Sequence, residues 1–290
     1  MPYFNIVAQT NENTVVTEYE PVKVKSDSYQ SEAALEKDFI RMLQEQGYEY
    51  LTIHTEADLV ANLRNKLEAL NNVVFTDNEW NTFFKESIAS QNDRIEDKAR
   101  RIQEDHVQVL KRDDGTSRNI TLIDKRNIHN NSLQVINQYE VSQSEGAKHD
   151  NRYDVTVLVN GLPLVHIELK RRGVAIKEAF NQINRYQRDS FWVGSGLFEY
   201  VQIFVISNGT NTKYYSNSTR WNAIKDAKAA KGKRGKTSNS FEFTCYWADA
   251  NSRGRSGTGN SRRQDVPDHQ HGRRKDVHLQ AGSPDCAQSG

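Results

Sequence analysis

The sequence predicts a mixed α/β (α+β) domain in which helices flank one central sheet of mixed strand direction. Three observations carry that expectation. From Arg152 to Lys170, apolar and polar residues alternate on either side of Asn160-Gly161, which reads as a β-hairpin. Apolar residues recur at helical spacing, as in Leu59, Leu63, Leu67 and Leu70, and again in Ile176, Ala179, Phe180 and Ile183. Val201–Ser207 is an apolar run of the kind found in strands buried on both faces.

Taken in order, residues 1–28 read as an extended lead-in with a short strand over Val15–Glu18. Ser31 supplies a capping oxygen for a helix over Glu32–Gln46, with Leu35, Phe39, Met42 and Leu43 on one face and Gly47 ending it. A strand over Tyr48–Ile53 follows, then helices over Glu56–Leu70, Asp77–Ser90 and Arg94–Leu110. Strands over Ile120–Ile123 and Leu133–Tyr139 lead into the hairpin, and a helix over Ala175–Asp189 leaves it. The last forty residues hold no Trp, Tyr or Phe and are rich in Gly, Ser, Arg, Asp and His. Such a segment buries too little apolar surface to offset its ordering entropy. The expected organisation is one domain over residues 1–250, with a helical insertion near 56–112, and a disordered or non-native tail over 251–290.

The hairpin can be analysed by parity. Val155, Val157 and Val159 are odd while Asp154 and Thr156 are even; Val165, Ile167 and Leu169 are odd while His166, Glu168 and Lys170 are even. Side chains alternate faces along a strand, so the apolar sets coincide only if paired residue numbers sum to an even number. A two-residue Asn-Gly turn, the common use of that dipeptide, sends Asp154 and Glu168 to opposite faces. An odd-length loop or a bulge near Asn160-Gly161 is therefore required. The expected solution is the three-residue loop Asn160-Gly161-Leu162, with Pro163 opening the second strand, where its missing N–H is tolerated. Asp154 then lies directly across from Glu168.

Two carboxylates and Lys170 on one polar face, followed by a helix carrying Gln182 and Tyr186, suit metal-assisted phosphodiester cleavage. The acids would hold a hard cation through oxygen, and the lysine would position the attacking water and offset negative charge. The bland alternative is an amphipathic hairpin with solvated charges. Gln182 and Tyr186, four apart, share a helix face; they contact a phosphate, buttress the lysine, or form a polar helix edge. Lys170, Arg171, Arg172, Lys177, Arg185 and Arg188 form a basic cluster suited to phosphate contacts that carry no sequence information. Glu36 and Glu32 in the first helix are additional carboxylates for the site or solvent-facing charges. The stretch Ala230–Thr237 superficially resembles a phosphate-binding loop, but Ala230 replaces the first glycine and no apolar strand precedes it, so it reads as a flexible lysine-rich loop. His269, His271, His278 and Cys286 show no metal-site spacing.

Length and composition set the outer bounds. A chain of 290 residues can hold one large or two modest domains. A net charge of +1 with 27% charged residues excludes a globally basic protein, so nucleic-acid binding must use a local patch. Two cysteines, Cys245 and Cys286, provide neither a disulfide framework nor a zinc set and fit a reducing cytosol. With no membrane-spanning run and no signal-peptide core in MPYFNIVAQTNENT, the expected location is the cytoplasm, with no membrane partner.

Asp154…Glu168-x-Lys170 resembles the PD-(D/E)xK nuclease motif, and Gln182-x-x-x-Tyr186 resembles the Q-x-x-x-Y extension of its RecB-like branch. The segments NRYDVTVLVNGLPLVHIELKRRGVAIKEAFNQINRY and LFEYVQIFVISNGT are similar to the N-terminal nuclease region of type I restriction enzyme R subunits. So are DSYQSEAALEKDFIRMLQEQGYEYL and NVVFTDNEW, and the resemblance covers residues 20–250. It implies a restriction-endonuclease-like core and Mg²⁺-dependent cleavage of double-stranded DNA. Asp154 and Glu168 would then be metal ligands with the Leu169 backbone carbonyl, and Glu36 an additional carboxylate on the metal side. Lys170 would orient the water, Gln182 and Tyr186 would hold the substrate or the lysine, and Arg171, Arg172, Lys177, Arg185 and Arg188 would contact DNA. The implied partners are methyltransferase and specificity subunits. ATP enters only through the two-lobed translocase of full-length R subunits, which this sequence lacks. The likeness departs near residues 223–239 and after Asn251. The rival reading is an inactive nuclease-like docking module whose N-terminal helices serve assembly, against which the intact Asp154, Glu168 and Lys170 argue.

Overall fold

The computed structural model describes residues 3–9, 15–20, 31–220 and 244–247. Residues 223–239, with the lysine-rich loop, and the tail over 251–290 lie outside them. The chain forms two compact units that divide after Gln30. In the first, β1 (Tyr3–Gln9) and β2 (Val15–Glu20) pair antiparallel, with an irregularity between Ile6 and Ala8. The strand expected at Val15 is present and slightly longer, and β1 is a partner that the lead-in reading lacked.

In the second unit, α1 (Glu32–Glu45) precedes the two-residue β3 (Glu49–Tyr50), and α2 (Glu56–Asn71), α3 (Asp77–Phe83) and α4 (Ile95–Gln103) follow. A separate hairpin joins β4 (Val107–Lys111) to β5 (Ser117–Thr121). Then come β6 (Leu133–Val141), β7 (Asn151–Val159), β8 (Leu162–Leu169), α5 (Ile176–Asp189), β9 (Ile203–Ser207), β10 (Thr212–Ser216) and β11 (Cys245–Trp247). The main sheet has the order β11-β10-β9-β8-β7-β6-β3. The pairs β3/β6 and β8/β9 are parallel and the others antiparallel. Parallel neighbours need a crossover, and α5 is the crossover between β8 and β9. The mixed sheet between helices is the expected architecture.

Helices cover both faces of the sheet. On one face Val135, Val155, Val157, Ile167 and Leu169 pack with Ile40 of α1, flanked by Leu35, Phe39 and Leu43. On the other, Phe204 and Ile206 join Ala179, Phe180, Ile183 and Tyr186 of α5 in a larger core that includes Leu59, Leu63 and Leu67 of α2. The even positions of β8, expected outside the apolar core, are inside it: His166 and Glu168 are both 0% exposed. They pair in register with Phe204 and Ile206 of β9, so they share the layer beneath α5.

Several boundaries move for identifiable reasons. Ser31 caps α1 as expected, accepting from the Ala34 N–H, but Met42 is exposed and Glu36 and Ile40 are buried instead. The α3 helix continues as a π-helical turn over Phe84–Ile88. The helix expected over Arg94–Leu110 stops at Gln103, because alternating Val107 and Val109 belong to β4, whose hairpin closes around Asp113-Asp114-Gly115. Gly115 takes the left-handed conformation there at φ 83°. The strand expected at Ile120–Ile123 begins earlier, at Ser117. β9 starts at Ile203 rather than Val201 and is fully buried on one face only, since Ile203 is exposed and Val205 partly covered. Among the described residues no helix is long and apolar enough to cross a membrane.

The hairpin β7/β8 satisfies the parity requirement by a different route from the one expected. The turn is the two-residue Asn160-Gly161, with φ of 51° and 85°, both positive as a type I′ turn requires. Val159 pairs with Leu162 and Leu158 with Pro163, both odd sums, and then Val157 pairs with Val165. Leu164 is thus an extra residue in β8, a bulge whose carbonyl accepts from Gln202 N–H at 2.9 Å. Beyond it the sums are even, so Val155 faces Ile167 and Thr156 faces His166. Pro163 is the second residue of β8, not its first.

Candidate functional site

The β7/β8 ladder ends at the Val155–Ile167 pair, one step before Asp154 would meet Glu168. At that step Asp154 replaces a ladder bond: Leu169 N–H donates to its Oδ2 at 2.9 Å. On the other flank, the β6/β7 pairing runs Asn137–Val155 and Tyr139–Tyr153 and skips Gln138, the residue opposite Asp154. Gln138 has φ 54°, a conformation that costs a residue other than glycine roughly 1–2 kcal/mol. Asp154 therefore sits where both neighbouring ladders are interrupted.

Glu168 lies behind it, fully buried. Its Oε1 is 3.2 Å from Lys170 Nζ and its Oε2 is 3.5 Å from His166 Nε2. Neither Glu168 Oε2 nor His166 Nε2 has a hydrogen-bond partner. Burial, then the charge of Glu168, pushes the Asp154 carboxyl up to about 7, against the opposing pull of the Leu169 N–H and Lys170. Burial likewise pushes Glu168 up to about 7, against Lys170. The two acids titrate as a pair near neutral pH. Burial pushes His166 down to about 4, so its imidazole is neutral.

Helix α1 contributes two more carboxylates from consecutive turns. Asn137 Nδ2 and Gln138 Nε2 donate to the two oxygens of Glu36. Burial raises the Glu36 pKa, and the charge of Asp154 adds to the rise, which places Glu36 within electrostatic reach of the site. Glu32 stands at the lysine end: its Oε2 is 3.8 Å from Lys170 Nζ and its Oε1 accepts from Arg171 N–H at 3.3 Å.

From α5, Tyr186 is buried and its hydroxyl donates to the Arg152 carbonyl at 2.8 Å while accepting from Gln182 Nε2. Burial raises the Tyr186 pKa and the charge of Glu168 raises it further, so the phenol stays protonated beside that carboxylate. The Arg185 guanidinium lies 5.4 Å over the Tyr186 ring and its charge also reaches Glu168. Arg171, Arg172, Lys177, Arg185 and Arg188 are all exposed. Asp154, Glu168, Lys170, Tyr186 and Gln182 are thus brought together, with Glu32 and Glu36 alongside. Sequence reasoning gave no role to His166, Thr156, Asn137 or Gln138; their types were visible, but their burial and the kink at Gln138 depend on neighbouring elements.

This donor set fits a divalent cation. Two buried carboxylates held near neutral pH, with one carboxylate oxygen unbonded, form an oxygen-rich site short of positive charge. Among the described residues no three His, Cys, Asp or Glu side chains stand close enough to enclose a metal by themselves. Further ligands would have to come from backbone, water or substrate.

Comparison with known proteins agrees with that chemistry. Residues 29–223 match the family model described as type I restriction enzyme R protein N terminus. The type I restriction enzyme EcoprrI endonuclease subunit of Escherichia coli is 46% identical over 243 residues, covering 83% of this chain and 72% of that protein. The SsaAORF53P endonuclease subunit of Staphylococcus saprophyticus is 42% identical over 195 residues, 66% of this chain and 20% of that protein. The SauCOLORF180P endonuclease subunit of Staphylococcus aureus is 39% identical over 196 residues, again 20% of its length. This chain therefore spans only a fifth of the staphylococcal relatives. Membership in such a family implies a divalent metal cofactor, a DNA substrate and assembly with other subunits. With two thirds of its length inside the family model, the chain belongs to the family of type I restriction enzyme R protein N termini.

Proposed function

We propose that this chain is the nuclease module of a type I restriction enzyme R subunit and hydrolyses phosphodiester bonds of double-stranded DNA. The observation that carries the reading is the meeting of Asp154 and Glu168 beside Lys170. Asp154, Glu168 and the Leu169 carbonyl would hold the cation, with Mg²⁺ as the physiological ion, and Glu36 would add negative potential on the α1 side. When bound, the ion supplies Lewis-acid stabilisation of the phosphoryl oxygens and lowers the pKa of bound water.

The residues of the chain do the remaining work. Lys170, held by Glu168, orients the attacking water and offsets charge developing on the phosphate. Water attacks phosphorus, one bridging P–O bond breaks, and the departing oxygen takes up a proton. Tyr186 and Gln182 fix the C-terminal half of α5 against the Arg152 backbone, so the surface bearing Arg185 and Arg188 keeps its place beside the site. Arg171, Arg172 and Lys177 supply exposed positive charge for the DNA backbone. Sequence specificity and methylation belong to the specificity and methyltransferase subunits, and ATP is used by the motor domains of the full-length subunit.

The test combines binding and cleavage. Calorimetry on this chain should detect Mn²⁺ binding that Asp154→Asn abolishes. In the reconstituted enzyme, Lys170→Ala should lower cleavage at least about 100-fold with translocation intact, the scale of losing one preorganised charge. Wild-type cleavage by Lys170→Ala would remove the lysine from the mechanism. Mn²⁺ binding indifferent to Asp154→Asn would favour the docking-module reading.

A further inference from the structure

Thr156, His166 and Glu168 form a line of polar groups inside the apolar layer beneath α5. Thr156 Oγ1 is 3.2 Å from His166 Nδ1, and His166 Nε2 is 3.5 Å from Glu168 Oε2. All three residues are buried. The imidazole is walled by aromatic rings, with centroids 5.6 Å away for Tyr153, 6.1 Å for Tyr186, 5.7 Å for Phe191 and 6.4 Å for Phe204. In that enclosure the two ring nitrogens face one hydroxyl and one carboxylate oxygen.

The atoms at the carboxylate end, His166 Nε2 and Glu168 Oε2, are the two left without a hydrogen bond. Folded proteins seldom leave buried polar atoms unbonded, and a 3.5 Å separation closes with a small side-chain rotation. We infer that His166 is a positioning residue for Glu168: as the Nε2–H tautomer it donates to Glu168 Oε2, while Thr156 O–H donates to its Nδ1. The inference rests on the reading of Glu168 as a metal-side carboxylate.

The arrangement solves a specific problem. Glu168 must keep one orientation inside a core that offers its charge little solvation, and Lys170 steadies only Oε1. A second cation on Oε2 would repel the metal. A neutral donor with a fixed tautomer holds Oε2 without adding charge, and the remaining lone pairs of the carboxylate stay available to the cation. A hydroxyl behind the imidazole selects the tautomer, as outer hydrogen bonds do for metal-site histidines.

Two measurements on the 290-residue chain test this. Ring ¹⁵N shifts, with the His166 signals identified by their loss in His166→Gln, should show a protonated Nε2 and a bare Nδ1; the Nδ1–H tautomer overturns the inference. Calorimetric Mn²⁺ affinity should fall about 10- to 100-fold in His166→Leu, the scale of losing an outer-sphere partner. His166→Gln, whose amide nitrogen can replace Nε2–H, should recover most of that loss. Thr156→Val, which keeps shape and drops the hydroxyl, should bind Mn²⁺ with intermediate affinity, and it decides the matter should His166→Leu fail to fold. Wild-type affinity in both His166→Leu and Thr156→Val would overturn the positioning role while leaving the nuclease reading intact. Failure of the wild-type chain to bind Mn²⁺ would overturn both.

Discussion

Replacing Glu168 by glutamine should stabilise the metal-free protein at alkaline pH. Glu168 ordinarily titrates at 4.5 and is held at about 7 in the fold. At about 1.4 kcal/mol per pH unit, keeping it ionised at pH 8 costs about 3 kcal/mol relative to the unfolded chain. Glutamine keeps the shape and removes the charge. It also strips Lys170, whose side chain is 12% exposed, of an ion pair, a loss of about 1 kcal/mol. The net gain is about 2 kcal/mol, or roughly 4–8 °C in Tm for a domain of this size.

The sign follows from the direction of the shift. A carboxyl whose folded pKa is raised contributes its full stability below its unfolded value, and that contribution is lost as pH climbs through the folded value. Asp154 acts in the same direction, from 3.8 to about 7. His166, lowered from 6.5 to about 4, acts oppositely: its contribution is present above 6.5 and lost as pH falls through 4. Two carboxyls outweigh one imidazole, so these groups make the wild type most stable below the ordinary Glu168 value of 4.5 and less stable as pH rises to about 7. The advantage of Glu168→Gln should be present at pH 8 and vanish by about pH 5. Thermal melts with EDTA at the two pH values measure this. Added Mn²⁺ should then reverse the order at pH 8, raising the wild type and leaving the variant unmoved. A variant less stable than wild type by the same margin at both pH values would refute the strained pair.

Other changes test the supporting structure. Gly161→Ala places a Cβ 2.6 Å from Leu63 Cα in a residue with φ 85°; positive φ and overpacking together should cost about 3 kcal/mol or more, read by urea denaturation, and an unchanged midpoint would contradict the close approach to α2. Tyr186→Phe leaves the Arg152 carbonyl without its donor and should cost about 1 kcal/mol, with cleavage by the reconstituted enzyme reduced but not abolished. Metal binding should displace protons from the acid pair, so calorimetric heats at pH 6.5 should scale with buffer ionisation enthalpy and lose that dependence near pH 9. A buffer-independent heat at pH 6.5 would mean that the carboxyls are already ionised.

The sequence made the helix stripes, the hairpin and the acid–lysine constellation legible because each is periodic or local. Leu59, Leu63 and Leu67 are buried at the helical spacing that announced them. What stayed hidden depends on elements far away in the chain. The burial of Glu168 requires β9 in parallel register and α5 above it. The end of α4 at Gln103 turns on competing patterns, since Val107 and Leu110 stand at helical spacing while Val107 and Val109 alternate as in a strand, and the strand is realised because β5 is there to pair with it.

The turn at Asn160-Gly161 separates the two kinds of information most clearly. Parity alone demanded one extra residue between Asp154 and Glu168, and it was silent on whether that residue would sit in the loop or in a strand. The structure chooses a tight turn and moves the extra residue to Leu164, and the reason is tertiary. Asn160 is buried: its N–H donates to the Ser132 carbonyl, its side chain donates to the Leu122 carbonyl and to Asn131, and its Oδ1 accepts from Ser132 N–H. Gly161 meanwhile abuts the backbone of α2. A three-residue loop would break that anchorage, whereas a bulge at Leu164 costs little, because Gln202 N–H is there to take its carbonyl. The bulge also absorbs the one residue that a two-residue turn leaves over, and so lets Asp154 and Glu168 share one face. Deleting Leu164 should remove the bulge and leave a regular ladder in which Val157 still pairs with Val165, so that Asp154 still lies opposite Glu168. That deletion variant should therefore keep its Mn²⁺ binding; lost binding in a chain that circular dichroism still reports as folded would show that the site needs the bulge itself and not only the register that brings the carboxylates to one face.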